Sequence, residues 1–224
     1  IDILGRIIEV ISGQKLDDFF KENIFKPLNM IDTDFYVPEE KHHRFVDCYQ
    51  ELVSKSGNKL KRCYKSGEDI YSKKRNFLSG GGGLCSTLAD YANFCQMILN
   101  EGYFDGKQLL SPMTVRFMRE NHLPNNQTMS EMGDDNFSEV RYDGAGFGLG
   151  FSCLVDQVKS MSPMSTGSIS WGGMASTFFW IDPKENLFSI LLTQLIPSGR
   201  YPIRPQAQTL VYSALSELNK NTRL

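Results

Sequence analysis

The sequence predicts an α+β fold, an antiparallel sheet flanked by helices. Two observations carry this. Between Gly146 and Leu192 β-type runs follow one another through turns too short for a parallel crossover, so neighbouring strands must run antiparallel. Apolar residues at helical spacing open and close the chain, and a helix with one apolar face has to cover something, the sheet being the nearest surface.

In order along the chain, Leu4, Ile7, Ile8 and Ile11 mark a first helix, and Gly13 stands where helices commonly end in a left-handed residue. Leu16, Phe19, Phe20 and Ile24 repeat the pattern until Pro27 stops it. Beyond Pro38, residues 44–49 and 59–64 flank the turn composition Ser56-Gly57-Asn58 and predict a peripheral hairpin. Gly80 to Gly83 follow. No G-K-[ST] comes after them and no parallel βαβ unit surrounds them, so they read as a loop passing close to another backbone rather than a phosphate cradle.

Within Ser86-Thr87-Leu88-Ala89-Asp90 a hydroxyl residue precedes an acid by three, as in a capping box, and Leu88, Tyr91, Phe94, Cys95 and Ile98 continue a helix that ends near Asn100 to Gly102. Asp105-Gly106 marks a turn. Ser111-Pro112 starts another helix, and Asn121 to Ser138 is polar enough to read as a long exposed loop. Residues 146–151, 168–171, 176–181 and 187–192 then read as strands, with Asp182 to Asn186 as a turn. A last helix carries Ala207, Leu210, Val211, Ala214, Leu215 and Leu218. Residues 1–140 thus hold helices and the hairpin, and 141–224 the sheet strands and C-terminal helix.

Composition removes several function classes. The 224 residues carry a net charge of −2 with no basic cluster interleaved with aromatics, which argues against nucleic acid as a partner. No apolar run approaches the ~20 residues of a membrane-crossing helix. Five cysteines without C-x-x-C spacing and three histidines without H-E-x-x-H give no metal or cofactor motif; the acidic cluster at Asp134 and Asp135 lacks the periodicity of a calcium loop. The compartment is not indicated.

The segment most charged with functional meaning is Ser170-Trp171-Gly172-Gly173-Met174, where two glycines interrupt a strand pattern. Glycine there forfeits packing and is expected at a bulge, or where a ligand or another backbone comes close. The first is structural. The second describes a site wall on which a substrate carbonyl meets main-chain N–H groups, as stabilisation of an oxyanion requires. No G-x-S-x-G elbow is present, and the Ser-x-x-Lys spacings Ser12–Lys15 and Ser56–Lys59 each carry glycine after the serine, at a helix end and a hairpin turn. Neither holds a lysine one helical turn from its serine. Tyr91-Ala92-Asn93, Lys55-Ser56-Gly57 and Lys65-Ser66-Gly67 imitate further hydrolase motifs in core-helix or hairpin settings.

Taken together, Leu4-Gly5-Arg6-Ile7-Ile8-Glu9, Ile24 to Met30, Gly81-Gly82-Gly83-Leu84 with Ser86, Thr87, Asp90 and Tyr91, Gly146 to Phe151, Trp171-Gly172-Gly173, and Asp182-Pro183 leading to Leu191-Leu192-Thr193-Gln194 resemble the serine β-lactamase and penicillin-binding-protein superfamily. The likeness is to its class C-like branch of carboxylesterases and D-aminopeptidases. It implies a β-lactamase/transpeptidase-like fold, incomplete at the N-terminus, with the whole of 1–224 as the C-terminal part of one domain. It also implies a serine hydrolase acting through an acyl-enzyme on an ester, amide or small peptide. Trp171-Gly172-Gly173 matches the W-G-G form of the motif lining the active-site cleft; Trp171, Gly172 and Gly173 then border the substrate, and the Met174 N–H serves the oxyanion hole. The family's S-x-x-K and Y-x-N motifs are not among these residues, so the alternative is a non-catalytic binding or interaction module derived from the same fold. On this reading the 224-residue polypeptide by itself is inert and aggregation-prone. Purified, it is expected to show no turnover of p-nitrophenyl esters or nitrocefin; clear turnover abolished by a serine-directed phosphonate refutes the expectation.

Overall fold

The computed structural model describes residues 1–54, 57–64, 70–133 and 142–219. The tip of the expected hairpin, Ser56–Lys59 as a Ser-x-x-Lys spacing, the motif imitations at 55–57 and 65–67, and the acidic stretch Asp134–Ser138 fall wholly or partly outside the described residues. Two compact units emerge, one formed by 1–94 with 104–109 and the other by 95–103 with 110–224. Among the described residues no helix is long and apolar enough to cross a membrane.

In the first unit, helix α1 (Asp2–Ser12) ends at Gly13 with φ 70°, whose N–H closes the last turn on the Glu9 carbonyl at 2.9 Å. That is the left-handed cap expected there. Helix α2 (Leu16–Phe20) runs into a π-helical turn, Lys21–Phe25, and Glu9 Oε1 ties the two helices by accepting from the Leu16 N–H at 3.1 Å. The apolar stripe of α1 behaves otherwise than expected. Ile3, Leu4, Ile7, Val10 and Ile11 are exposed, and Gly5 is its buried residue. Gly5 meets Gly80 backbone to backbone: a Cβ at Gly80 falls 3.0 Å from the Ile1 carbonyl and 3.3 Å from the Gly5 Cα. The glycine run is therefore a close-approach loop, held further by Asp2 Oδ1, which accepts from the Gly81 N–H at 2.9 Å and the Ser79 hydroxyl at 2.6 Å.

The hairpin forms from β1 (Cys48–Ser54) and β2 (Gly57–Tyr64), with a register irregularity at Cys48/Tyr49. It begins later than the spacing predicted, because Glu39–Arg44 is a 3-10 helix and Arg44 turns its guanidinium onto Asp32 through two bonds of 2.9 and 2.8 Å. Helix α3 (Leu88–Leu99) carries half of the expected capping box. Thr87 Oγ1 accepts from the Asp90 N–H at 3.2 Å, but the buried Asp90 carboxylate turns to the Thr33 hydroxyl and the Asp32 N–H, at 2.7 and 2.8 Å. A tertiary partner outcompeted the local one.

The second unit contains helix α4 (Pro112–Arg119), started as predicted by Ser111, whose hydroxyl accepts from the Thr114 N–H at 3.1 Å. The polar stretch after it is not all loop. Residues 129–132 form the short helix α5 (Met129–Met132), with Thr128 and Glu131 making a complete capping box. Strands β3 (Ala145–Phe147), β4 (Ser152–Leu154), β5 (Ile169–Gly172), β6 (Phe178–Asp182) and β7 (Leu187–Leu191) build a five-stranded sheet in sequence order with every neighbour antiparallel; the single-turn helix α6 (Gln157–Ser160) lies between β4 and β5.

Helix α7 (Ile203–Ser213) covers one face of that sheet. Ala207, Val211 and Tyr212 pack with Trp180, Leu154 and Met164, whereas Leu210 and Leu218, placed by the sequence in the covering stripe, are 72% and 53% exposed. The covering face runs Arg204, Ala207, Gln208, Val211, Tyr212, a helical i, i+3, i+4, i+7, i+8 stripe with polar members that each find a partner. Arg204 bonds two carbonyls, Gln208 Nε2 approaches Met164 Sδ at 3.2 Å, and the Tyr212 hydroxyl donates to Asp182 Oδ2 at 2.7 Å.

The glycine–glycine contact gives a direct test. Gly80→Ala is expected to cost about 1–3 kcal/mol, since its methyl meets rigid backbone. Gly82→Ala, whose methyl meets nothing within 4 Å, should stay within about 0.5 kcal/mol. Urea midpoints that move equally for both remove the close-approach account.

Candidate active site

Cross-strand pairing sorts the Trp171-Gly172-Gly173 segment onto two faces of the sheet. Trp171 pairs with Phe179, and Gly172 with Phe178. Partners in an antiparallel pair share a face and successive residues alternate, so Trp171 and Gly172 look in opposite directions. On its side Trp171 stacks on Tyr142 with ring centroids 5.7 Å apart at 11°, and meets Phe147 edge-on at 5.3 Å and 70°. These three rings form a half-buried aromatic wall. Glycine at 146, on the strand beside it, is required because a Cβ there would run into the Asn121 side chain, whose Oδ1 accepts from the Phe147 N–H at 3.1 Å.

Gly172 looks towards α7. A Cβ built on it lies 2.6 Å from Arg204 Nη2 and 2.7 Å from Arg204 Cζ, so the missing side chain makes room for a guanidinium. Gly173 is crowded in the same way by Thr177 Oγ1. The close approach that the paired glycines permit is thus made by the chain's own side chains, a partner the sequence did not reveal.

Between β5 and β6 the backbone turns through Met174, Ala175 and Ser176. The Gly173 N–H donates to the Thr177 carbonyl at 3.0 Å and the Ser176 N–H to the Gly173 carbonyl at 3.0 Å, with Ser176 at φ 67°. This is a three-residue hairpin loop whose last member is left-handed, a conformation that costs a non-glycine residue about 1–2 kcal/mol. Ser176 offsets that cost by donating its hydroxyl to the Leu195 carbonyl at 2.7 Å.

The turn is clamped from several directions. Arg204 Nη2 donates to the Gly173 and Thr177 carbonyls at 3.0 and 3.1 Å, and its guanidinium lies over the Phe178 ring at 5.4 Å. The Ala175 carbonyl accepts from the Leu195 N–H at 3.0 Å and the Thr193 hydroxyl at 3.1 Å. The N–H groups of Met174 and Ala175 donate to no acceptor among the described residues, and the Met174 side chain is half exposed. A fixed turn with two free donors can hold negative charge on an oxygen.

Nucleophile candidates among the described residues are weak. Burial pushes the Cys153 thiol up to about 11, so at neutral pH it is not the reactive thiolate. Ser12 bends its hydroxyl back to the Ile8 carbonyl at 2.7 Å, and left-handed Gly13 separates it from Lys15. Asn93 donates its side-chain amide to the Leu28 carbonyl at 2.9 Å, and Tyr91 packs on Phe94 at 5.6 Å, so the Tyr91-Ala92-Asn93 imitation is part of the helix's packing. Burial, and then the adjacent Asp182, raise the pKa of Tyr212, which keeps it a proton donor in its bond to that carboxylate.

The Gly172–Arg204 contact predicts a measurable coupling. Gly172→Ala is expected to destabilise by about 1–3 kcal/mol and to cost at least about 0.5 kcal/mol less when Arg204 is already alanine. Strict additivity in the double-mutant cycle is the contrary result.

Comparison with known proteins supplies the family. An uncharacterized protein of Mycobacterium tuberculosis (strain CDC 1551 / Oshkosh) is 32% identical over 204 residues, covering 88% of this chain and 48% of that protein. Lovastatin esterase of Penicillium rubens is 26% identical over 212 residues, covering 88% and 49%. The chain spans about half the length of these relatives. The solved structure of simvastatin synthase from Aspergillus terreus superposes with a TM-score of 0.75 at 21% identity, covering 96% of this chain and 55% of that one, which establishes a shared fold. The Beta-lactamase family model matches residues 1–212, and the chain belongs to that family.

Proposed function

We propose that these residues form the oxyanion-binding and acyl-binding half of a serine hydrolase or acyltransferase that works on an ester, with amides and small peptides as the wider class. The observation carrying this reading is the Met174 N–H, unengaged at the tip of a turn whose neighbouring carbonyls are pinned by Arg204, Thr193 and Leu195. Lovastatin esterase, a relative by sequence, is named for cleaving an ester, and Trp171-Gly172-Gly173 offers no lysine with which to grip a β-lactam carboxylate.

In this reading a serine Oγ adds to the substrate carbonyl carbon and gives its proton to a base, and the carbonyl oxygen gains negative charge towards the Met174 N–H. Collapse expels the alcohol, and water or a second alcohol then releases the acyl group. Trp171, with Tyr142 and Phe147, is the wall against which the acyl chain lies. Gly172 and Gly173 admit Arg204 and Thr177, which crowd against the turn that carries Met174. The serine and its base are assigned to polypeptide outside these 224 residues, since Ser12 and Lys15 are not held together.

The test removes one hydrogen. Met174 is the second residue of a β-turn, a position where proline fits without loss of a backbone bond. In the protein expressed from its complete reading frame, Met174→Pro should lower kcat/KM on p-nitrophenyl esters by about 10²–10³ with the fold intact, while Met174→Ala keeps it within about threefold. Full activity in Met174→Pro overturns the assignment.

A further inference from the structure

The carbonyl that Arg204 grips and the amide hydrogen assigned to the oxyanion belong to the same peptide group. Gly173 supplies the C=O, Met174 supplies the N–H, and the bond between them is conjugated. The Gly173 oxygen accepts twice, from Arg204 Nη2 at 3.0 Å and from the Ser176 N–H at 3.0 Å, so both lone pairs are occupied and one donor is a cation. Hydrogen bonding to a carbonyl draws electron density from the nitrogen of its peptide, and bonds in a chain polarise one another. A charged donor does so more strongly than a neutral one.

We propose that Arg204 is the positioning and polarising residue of the oxyanion site: through the Gly173 carbonyl it both fixes the plane of the Gly173–Met174 peptide and makes the Met174 N–H a stronger donor. The inference rests on the function proposed above. It adds a residue that touches neither substrate nor reacting atoms and acts through the peptide it holds. Three further observations fit a guanidinium and not merely a filler. Its second bond, to the Thr177 carbonyl at 3.1 Å, crosses the neck of the hairpin and stops the turn from opening. The Phe178 ring lies beneath it at 5.4 Å, restricting the plane of the fork. Gly172 has no Cβ at the place where the fork crosses the strand, so the approach depends on glycine there.

The charge of the guanidinium and the two hydrogens on its Nη2 are what the arrangement uses. Lysine retains the charge on one donor atom; glutamine retains a neutral donor and loses the charge. The role of Arg204 can be separated from plain support of α7 with Tyr212→Phe, which removes a bond from the same face of the helix without touching the turn.

The experiment uses the protein from its complete reading frame, with p-nitrophenyl esters as substrates. Arg204→Gln should lower kcat by about tenfold with KM within about twofold, a fraction of the 10²–10³ that follows loss of the donor itself. Arg204→Lys should recover most of that loss, and Tyr212→Phe should leave kcat within about twofold. A second readout needs no turnover. Gly173–Met174 is the one Gly-Met peptide in these 224 residues, and glycine labelled with ¹³C at the carbonyl, combined with ¹⁵N-methionine, reports on it, its signal in the full protein being the one that Met174→Ala removes. In Arg204→Gln its carbonyl and amide resonances should both move upfield, and in Arg204→Lys less so. Lower thermal stability without a change in kcat or in these resonances overturns the inference, as does an equal loss of kcat in Tyr212→Phe. If Met174→Pro is itself fully active, the functional reading falls first; if Met174→Pro is crippled and Arg204→Gln is not, only the role of Arg204 falls.

Discussion

One guanidinium holds two carbonyl oxygens at the neck of the β5–β6 turn, and the shape of the candidate site follows from that contact. Arg204 reaches the Gly173 and Thr177 carbonyls from α7, across a strand that has no side chain at Gly172 to obstruct it. The turn is thereby closed on its α7 side and leaves its free N–H groups pointing elsewhere. Docking of the last helix and shaping of the turn are a single event, because the same side chain belongs to both.

That helix is seated less by grease than by matched polar groups. Trp180 is fully buried under Ala207, Val211 and Tyr212, and the Tyr212 hydroxyl meets Asp182 on the same face. Asp182 is 0% exposed and accepts from the Ser165 N–H at 3.0 Å, the Glu185 N–H at 3.2 Å and the Tyr212 hydroxyl at 2.7 Å. A carboxylate without water survives only with such donors, and the loss of one leaves the remainder of the charge uncompensated. The turn after β6, the loop before β5 and the end of α7 are therefore tied to one buried group. A slip of α7 by one residue breaks the Asp182 and Arg204 contacts together, which gives the helix a unique position that apolar packing against a sheet would not define so sharply.

Legibility in the sequence tracked the range of the interaction responsible. Gly13 as a left-handed cap, Ser111-Pro112 as a helix start and the three strands after Ser168 could be read directly, because each depends on residues a few positions apart; the run 146–151, which reads as one strand, is instead the end of β3 and the bend that returns the chain into β4. The capping box at Thr128 and Glu131 is equally local but is masked, since Pro124, Asn125, Asn126 and Gly133 around it give the whole stretch the composition of a loop. Thr87 and Asp90 imitated that box, and here a distant group won: Thr33 and the Asp32 N–H drew the carboxylate away. In α7 an apolar count favoured Leu210, Leu215 and Leu218, while the face that packs contains an arginine, a glutamine and a tyrosine whose partners lie 27 to 44 positions away.

For the candidate site, the sequence determined that the chain narrows to bare backbone at Gly172 and Gly173, with an aromatic residue before it and a strand after it. Periodicity and composition suffice for that. What fills the narrowed space was decided only in three dimensions. Glycine records that something must come close and carries no information about what. The answer, a guanidinium from the last helix and a threonine hydroxyl across the turn, depends on how α7 lies on the sheet. That placement is set by bonds between residues whose separation along the chain leaves no local pattern to read.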